Sequence, residues 1–357
     1  MMRIFRTSLP LCLLAALSLS ALSQAPARAK SAPVTEYEIL RQFPAGRLAA
    51  LSAGDKPDAQ GLTGTNRLNG SWLEVGPQRG GCRGVAIAVV LDDLARADDA
   101  WRAIDVAFAH QLENGSFEAR VRPNGASAKS LAASVETTYF FLQELGRTIL
   151  LIRQSPHEAH FRERIARLEP RIRKACAYIS AGYDTIIASS SHAVNRIILA
   201  AKAFGLCGLA LRDDALVESS RKLIRHALTL RDKDGVFLEK GGRDSSYNVV
   251  SILYGQILAL HLPLPEFEAA LPAAVAWQLT RVLENGEIDV AGNTRTGVGA
   301  EKSYFGTPKN VNYTEVILAL TYYGLVRKDA AALAASDKVF AYAQKRTQGS
   351  TGSTGPR

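Results

Sequence analysis

The chain has 357 residues, four cysteines and a formal net charge of +9. So few cysteines exclude a disulfide framework, and no Cys/His spacing indicates a structural zinc site. The basic charge suits an acidic partner such as an anionic polysaccharide, a nucleic acid or a lipid headgroup surface. Colloidal solubility alone is the alternative explanation for the charge.

The first 29 residues predict a cleavable secretory signal. Arg3 and Arg6 precede an apolar run from Leu9 to Leu22, and small residues follow as far as Ala29. Cleavage would remove three arginines and no acidic residue, which lowers the formal charge from +9 to +6. No later segment has the roughly 18 uninterrupted apolar residues of a membrane span. We therefore expect an exported protein, periplasmic or secreted, without a membrane span.

Residues 30–84 predict one weak helix followed by a long loop. The helix covers Glu36 to Leu51 with a break at Pro44, and the polar stretch 55–70 is typical of a loop. The segment Arg79-Gly80-Gly81-Cys82-Arg83-Gly84 is expected to add a basic, flexible rim. It matches neither the Walker nor the dinucleotide fingerprint.

Residues 85–346 have helical periodicity almost throughout, and the low-complexity tail 347–357 is predicted to be disordered. Amphipathic helices such as 161–179 alternate with helices that are apolar on all sides, such as 197–211 and 249–262. This alternation predicts an all-α, single-domain α/α toroid of helical hairpins, complete or incomplete. Cys176 and Cys207 are expected in its core, and whether they or Cys82 form a disulfide stays open.

Two repeated features support a stacked repeat fold. Turns at Gly115, Gly182, Gly235 and Gly286 are spaced by 67, 53 and 51 residues, and Asn-Gly or Asp-Gly supplies the positive φ that ends a helix. Four apolar helices also carry a glycine in mid-helix, and the spacings are 59, 50 and 69 residues. Those glycines are Gly146, Gly205, Gly255 and Gly324.

A polar cluster begins each of the four glycine-bearing helices. Because equivalent positions in successive repeats lie in equivalent places, these side chains would converge on one cavity if the repeats closed into a ring. The clusters are Glu136 and Tyr139; His192, Asn195 and Arg196; Asp244 and Tyr247; and Asn312, Tyr313 and Glu315.

Two segments resemble the toroidal polysaccharide lyases, the group that includes alginate, chondroitin and heparin lyases. Residues 234–247 resemble their Asp-Gly…Glu…Tyr segment, with Asp234, Gly235, Glu239 and Tyr247. Residues 189–196 resemble their helix start with His192 and Asn195. The alginate lyases have Asn-Asn-His where this chain has Ser190-Ser191-His192, and its asparagine follows one turn later.

The resemblance implies β-elimination at a uronic acid of an acidic polysaccharide or oligosaccharide. Tyr247 would be the acid and also serve as base, with His192 as the alternative base. Asn195 and either Arg196 or Arg243 would hold the carboxylate, because donors around it stabilise the enolate-like transition state. A phenol acting as a base near neutral pH needs nearby cations. We expect a monomer without metal or other cofactor and without a nucleic-acid partner.

Two alternatives remain open. Carboxylates at loop and helix-start positions would suit an inverting glycoside hydrolase, with Glu136 and Asp244 as the pair. The long loop from Glu287 to Asn312 would suit a toroid that binds an acidic glycan without cleaving it. The predicted substrate-binding residues are Glu136, Tyr139, Glu239, Arg243, Asp244, Arg295, Asn312, Tyr313 and Glu315.

Overall fold

The computed structural model describes residues 34–125, 130–299, 302–303 and 305–351. The predicted signal, residues 1–29, lies outside these ranges. Within them the chain forms fourteen α-helices and no β-strand, which confirms the predicted all-α class. The helices are α1 (Glu36–Arg41), α2 (Ala45–Leu51), α3 (Gly64–Asn69), α4 (Arg79–Val90), α5 (Leu94–Ala109), α6 (Leu131–Gln154), α7 (Glu158–Ala181), α8 (Tyr183–Ser190), α9 (Val194–Leu211), α10 (Asp214–Thr229), α11 (Ser245–His261), α12 (Pro265–Thr280), α13 (Tyr313–Arg327) and α14 (Ala330–Thr351).

Polar caps fix where several of these helices begin. Ser130 caps α6, Asp213 caps α10 and Asp244 caps α11, each accepting a hydrogen bond from a backbone N–H of the first turn. Such a cap satisfies donors that have no partner inside the helix, and it is worth about 1 kcal/mol. The helix-start polar residues seen in the sequence are therefore partly structural.

The helices pack as five hairpins. An inner row of α4, α6, α9, α11 and α13 forms contacts in that order, and each is followed in the chain by an outer helix that packs on it. Nearly every residue of α9 and α11 is buried, whereas α10 buries one face only. The alternation of amphipathic and fully apolar helices in the sequence thus corresponds to outer and inner helices.

The mid-helix glycines lie where helices approach each other closely. A Cβ on Gly146 would lie 2.8 Å from the backbone nitrogen of Cys207 in α9. A Cβ on Gly255 would lie 1.8 Å from Cζ of Phe267 in α12. Either distance is far inside van der Waals contact, so a larger residue would force the helices apart.

The predicted turns divide into two kinds. Gly115, Gly235 and Gly286 have φ of 89°, 84° and 88°, as the Asn-Gly and Asp-Gly pattern predicts. Gly182 differs, because its φ is −91° and it joins α7 directly to α8, so the predicted fourth copy is wrong. Gly306, with φ of 77°, forms a comparable turn that the sequence analysis did not identify.

Three predicted irregular segments are more regular than expected. Part of the predicted loop 55–70 forms α3, and the predicted flexible rim 79–84 is the first half of α4, with Gly80, Gly81 and Cys82 buried. The predicted disordered tail begins inside α14, which extends to Thr351. The rest of that tail lies outside the described residues.

The three cysteines in the described ranges, Cys82, Cys176 and Cys207, are buried and free, which agrees with a core role. Within the same ranges, one helix, α9 (Val194–Leu211), is long and apolar enough to cross a membrane. Because 89% of that stretch is buried inside the protein, α9 has the environment of a core helix.

Candidate functional site

A cavity of about 480 Å³ opens between α4, α6, α11 and α13. The chain from Leu51 to Pro77 forms one of its walls. Three predicted site residues line it, namely Glu136, Asn312 and Glu315. The cavity therefore joins two of the four helix starts that were expected to converge.

Most arginines of this cavity are already neutralised by carboxylates. Arg83 pairs with Asp55 at 2.7 Å and Arg122 with Glu74 at 2.7 Å. Arg79 forms no ion pair with a carboxylate among the described residues. Its guanidinium lies 5.2 Å from the ring centre of Phe140 and makes one long hydrogen bond, 3.5 Å, to the carbonyl of Gly76. Arg79 is thus the cation of the cavity that is best placed to receive an anion.

Glu315 is a candidate proton donor. Burial raises its pKa, and the Tyr254 hydroxyl, which donates a hydrogen bond to Glu315 Oε1 at 3.0 Å, only partly offsets this. The charges on Arg79 and Arg83 also lower the pKa without reversing the rise. A carboxyl group with a raised pKa that lines a cavity is a recognised mark of a functional site.

Asp244 has a structural role. Its Oδ1 accepts hydrogen bonds from the backbone N–H groups of Ser246 and Tyr247, which caps α11. Its Oδ2 accepts from the N–H groups of Arg295 and Thr296, which anchors the loop before α13. Both oxygens are occupied and the residue is fully buried. The predicted hydrolase pair of Glu136 and Asp244 is therefore not available.

Tyr247, in the first turn of α11, lies between two cations. Lys309 Nζ donates to its hydroxyl at 3.2 Å, and the guanidinium carbon of Arg295 lies 4.3 Å from its ring centre. Arg295 in turn pairs with the buried carboxylate of Glu239. Burial raises the pKa of Glu239 despite the opposing effect of Arg295, and Oε2 of Glu239 has no hydrogen-bond partner.

The starts of α6 and α9 adjoin the residues around Tyr247. Arg196 Nη1 lies 3.0 Å from Glu136 Oε2, and the charge of Arg196 also lowers the pKa of Glu239. Burial raises the pKa of Tyr139, and the charge on Glu136 raises it further. The Ser190 hydroxyl lowers that pKa slightly but falls short of hydrogen-bond geometry with Tyr139.

Asn195 lies in the first turn of α9, next to Arg196, and this helix start meets the segment of Glu239, because the Val194 N–H donates to Leu238 O at 3.4 Å. We therefore group Asn195 with these residues as the helix-start cluster. Asn195 is 6% exposed, and its Oδ1 has no hydrogen-bond partner among the described residues. Asn195 precedes Lys202 by two helical turns and so shares its face of α9, the face that meets Glu144 of α6. The helix-start cluster comprises Glu136, Tyr139, Asn195, Arg196, Glu239, Tyr247, Arg295 and Lys309.

Besides Asp244, three predicted residues belong neither to this cluster nor to the cavity lining. His192 is exposed on the loop before α9, so the alternative base is not enclosed with Tyr247. Arg243 pairs with Asp232 at 2.5 Å and also with Asp234, both in the turn before α11. Tyr313 packs against Tyr342 of the outer helix α14, with ring centres 5.4 Å apart and the rings tilted by 38°.

Sequence reasoning missed buried polar residues of the inner helices, of which Tyr254 and Tyr322 line the cavity, but a signal for them exists. Tyr254 follows Tyr247 by seven residues, Lys202 follows Asn195 by seven, and Tyr322 follows Glu315 by seven. Seven residues are close to two helical turns, so each pair shares one helix face. Polar residues repeating every seven positions in otherwise apolar helices indicate a polar interior.

No protein-family model, no curated protein and no solved structure matches this chain. Within the described residues, no group of three His, Cys, Asp or Glu side chains is arranged to hold a metal ion.

Proposed function

We propose that this protein is an exported polysaccharide lyase that acts, as a monomer, on an acidic glycan. The five hairpins would form an incomplete α/α toroid, with the helix-start cluster at the mouth of its central cavity. Three features support this proposal: the order of helix contacts, the convergence of polar helix starts, and a cavity arginine, Arg79, that has no carboxylate partner among the described residues.

The observation that carries the proposal is the setting of Tyr247. A phenol acting as a proton-transfer group near neutral pH requires cations close to its oxygen. Lys309 Nζ contacts this oxygen at 3.2 Å, and Arg295 lies over the ring. The buried acceptor Oε2 of Glu239 and Oδ1 of Asn195 lie in the same cluster without partners, as expected where a ligand supplies them.

In the proposed reaction the ionised Tyr247 oxygen removes the C5 proton of a uronate residue. The electron pair of the C5–H bond forms the C4=C5 double bond, and the bond from C4 to the glycosidic oxygen breaks. The same hydroxyl then returns its proton to the departing oxygen, so Tyr247 ends as it began. Asn195 and Arg196 would bind the uronate carboxylate and stabilise the developing enolate.

Arg295, instead of the predicted Arg243, would be a further ligand of the substrate carboxylate. Arg243 is committed to Asp232 and Asp234, whereas Arg295 lies directly over Tyr247. Arg295 is also paired with the carboxylate of Glu239. A substrate carboxylate would therefore share or displace this pairing.

The test is the ultraviolet absorbance of the conjugated C4=C5 bond while the purified protein is mixed with single polymers. The panel contains polymannuronate, polyguluronate, polygalacturonate, hyaluronan, chondroitin sulfate and heparin. We expect absorbance to rise with at least one of them. A flat trace with every polymer, measured on folded protein, would refute elimination.

A second candidate, an inverting glycoside hydrolase, is favoured by one observation. Glu315, with its raised pKa, lines the same cavity as Glu136, which pairs with Arg196 at 3.0 Å. Glu315 would be the general acid and Glu136 the general base. New reducing ends without new ultraviolet absorbance, lost on Glu315→Gln, would establish hydrolysis instead of elimination.

A further inference from the structure

The cavity extends inward from the helix starts, where Glu136, Asn312 and Glu315 line it. Tyr254, which lines the cavity, lies seven residues after Tyr247 on the same face of α11, a rise of about 10 Å. The same depth separates Glu315 from Tyr322 on α13, and both of these residues line the cavity. From Glu315 to Tyr322 the cavity is therefore about two helical turns deep, which is the length of a short oligosaccharide.

Helix α1 lies across the inner end of this space. It contacts α4, α6, α11 and α13, which are the four helices that line the cavity. Its Glu36 accepts hydrogen bonds from Arg147 Nε at 2.8 Å and from the Tyr322 hydroxyl at 2.6 Å. Arg147 and Tyr322 both line the cavity and are buried, so they form its floor with α1 behind them.

The side wall of the cavity is held by ion pairs, and the cavity is open to solvent at its rim, unlike at the floor. The wall 51–77 is held against α4 by the ion pair of Asp55 with Arg83, and Arg122 is held to Glu74 of the same wall. The exposed lining residues are Asn312, at the start of α13, and Gly54 and Gly64 of the wall. Access is therefore at the helix starts, and the opposite end is closed.

We propose that this cavity receives the end of a glycan chain, so that the protein acts as an exolyase and releases short products. A polymer lying across an open cleft would extend past Tyr247 in both directions, but here one direction leads to the closed floor. Arg79, on the cavity wall, binds the carboxylate of an enclosed sugar. This inference rests on the proposed function, because it assigns the direction and extent of binding at the same site.

The experiment follows elimination and product size together, using the wild-type protein and whichever panel polymer raises the absorbance. At a few per cent conversion, an exolyase yields one or two short products and leaves the viscosity nearly unchanged. At equal mass concentration below saturation, chains about tenfold shorter should react about tenfold faster, because they offer more ends. A ladder of intermediate sizes with early loss of viscosity would overturn exo action while leaving the lyase intact.

A variant that fills the cavity tests independently whether the chain end is enclosed there. Thr314 lines the cavity in the first turn of α13, and Thr314→Trp should lower the elimination rate at least about tenfold. Thr229→Trp, on the exposed end of α10, is the matched control and should retain the wild-type rate. An unchanged rate in folded Thr314→Trp would contradict enclosure of the chain end.

If Thr314→Trp fails to fold, Arg79→Gln serves in its place. Arg79 is only half-buried, so the fold should tolerate glutamine, and KM should rise about tenfold with kcat less affected. An unchanged KM would refute the role of Arg79. A flat absorbance trace with every polymer would remove the lyase and, with it, this inference.

Discussion

The floor of the cavity and the helix-start cluster above it are both rich in buried polar groups, but these groups are satisfied differently. In the floor, Lys202 Nζ lies 2.8 Å from Glu144, and Arg147 bridges Glu144 and Glu36. His261 completes the set with a 2.7 Å contact to Glu36. In the helix-start cluster, Asn195 Oδ1 and Glu239 Oε2 are equally enclosed and have no hydrogen-bond partner.

The difference separates groups that hold the fold from groups that are available to a ligand. A buried charge is tolerated when its neighbours supply opposite charge and hydrogen bonds, and it then links the helices that carry it. A buried acceptor without a partner costs free energy unless something else supplies the donor. We infer that the floor contributes to stability and the helix-start cluster to function.

The largest expected effect is on stability, from Glu36→Gln in the floor. This change leaves the buried Arg147 without one of its two carboxylates and alters the contact with His261, so the free energy of unfolding should fall by about 3–5 kcal/mol. Urea unfolding at neutral pH measures it. The control is Glu284→Gln on the exposed turn after α12, which should change stability by less than about 0.5 kcal/mol.

The contribution of Glu36 to the free energy of unfolding should be lost in a defined acidic pH range. Burial alone would raise the pKa of Glu36, but the charge of Arg147 and hydrogen bonds from His261 and Tyr322 lower it from 4.5 to about 2. Because the folded pKa is the lower one, this contribution is complete above pH 4.5 and is lost as the pH falls toward 2. The loss is about 3 kcal/mol.

Denaturant unfolding at several pH values, compared between wild type and Glu36→Gln, tests this assignment. The variant lacks the titrating group, so its stability should fall less steeply over the same range. Parallel curves for the two proteins would show that other carboxylates cause the acid sensitivity.

A substitution in the helix-start cluster is expected to change the free energy of unfolding less, and in the opposite direction. Asn195→Leu removes an acceptor that has no partner, so stability should stay constant or rise by about 1 kcal/mol. The elimination rate should fall about tenfold or more, because a carboxylate ligand is lost. Urea unfolding measures the stability and initial rates measure the elimination rate, both on one preparation of the variant.

Asn248→Leu is the matched control for this comparison. Asn248 is also buried near the start of α11, but its Oδ1 accepts from the N–H of Phe237, and its Nδ2 donates to Ala274 O and Gln278 Oε1. Removing it should cost about 1–3 kcal/mol. Equal destabilisation by the two substitutions would contradict the distinction between satisfied and unsatisfied groups.

Much of the helix arrangement could be predicted because it depends on local sequence and on close packing. Gly255 is required where Phe267 of the next helix approaches it, and Gly115 and Gly286 are required where φ is positive. Gly182 was misassigned because the same residue type also occurs where φ is negative. Segment 79–84 was misassigned because its glycines pack against neighbours inside a helix, which local sequence does not reveal.

The site was predicted in part. The sequence identified Tyr247 at a helix start, Glu239 in the segment that resembles the lyases and Arg295 in the long loop before α13, and the structure brings them together. The sequence could not show that Asp244 accepts hydrogen bonds from four backbone N–H groups, or that Arg243 forms ion pairs with two aspartates. Those partners are set by tertiary contacts. The closure of the cavity by α1 depends on contacts between residues more than a hundred positions apart.

The most direct test of the account is the elimination rate of Tyr247→Phe beside wild type, with urea unfolding of both. The substitution removes only the hydroxyl that contacts Lys309, and Tyr178→Phe, which loses a hydrogen bond to Ser134, is the control. We expect a loss of at least about a hundredfold in rate for Tyr247→Phe, with stability nearly unchanged. A wild-type rate in folded Tyr247→Phe would contradict the central role given to this residue.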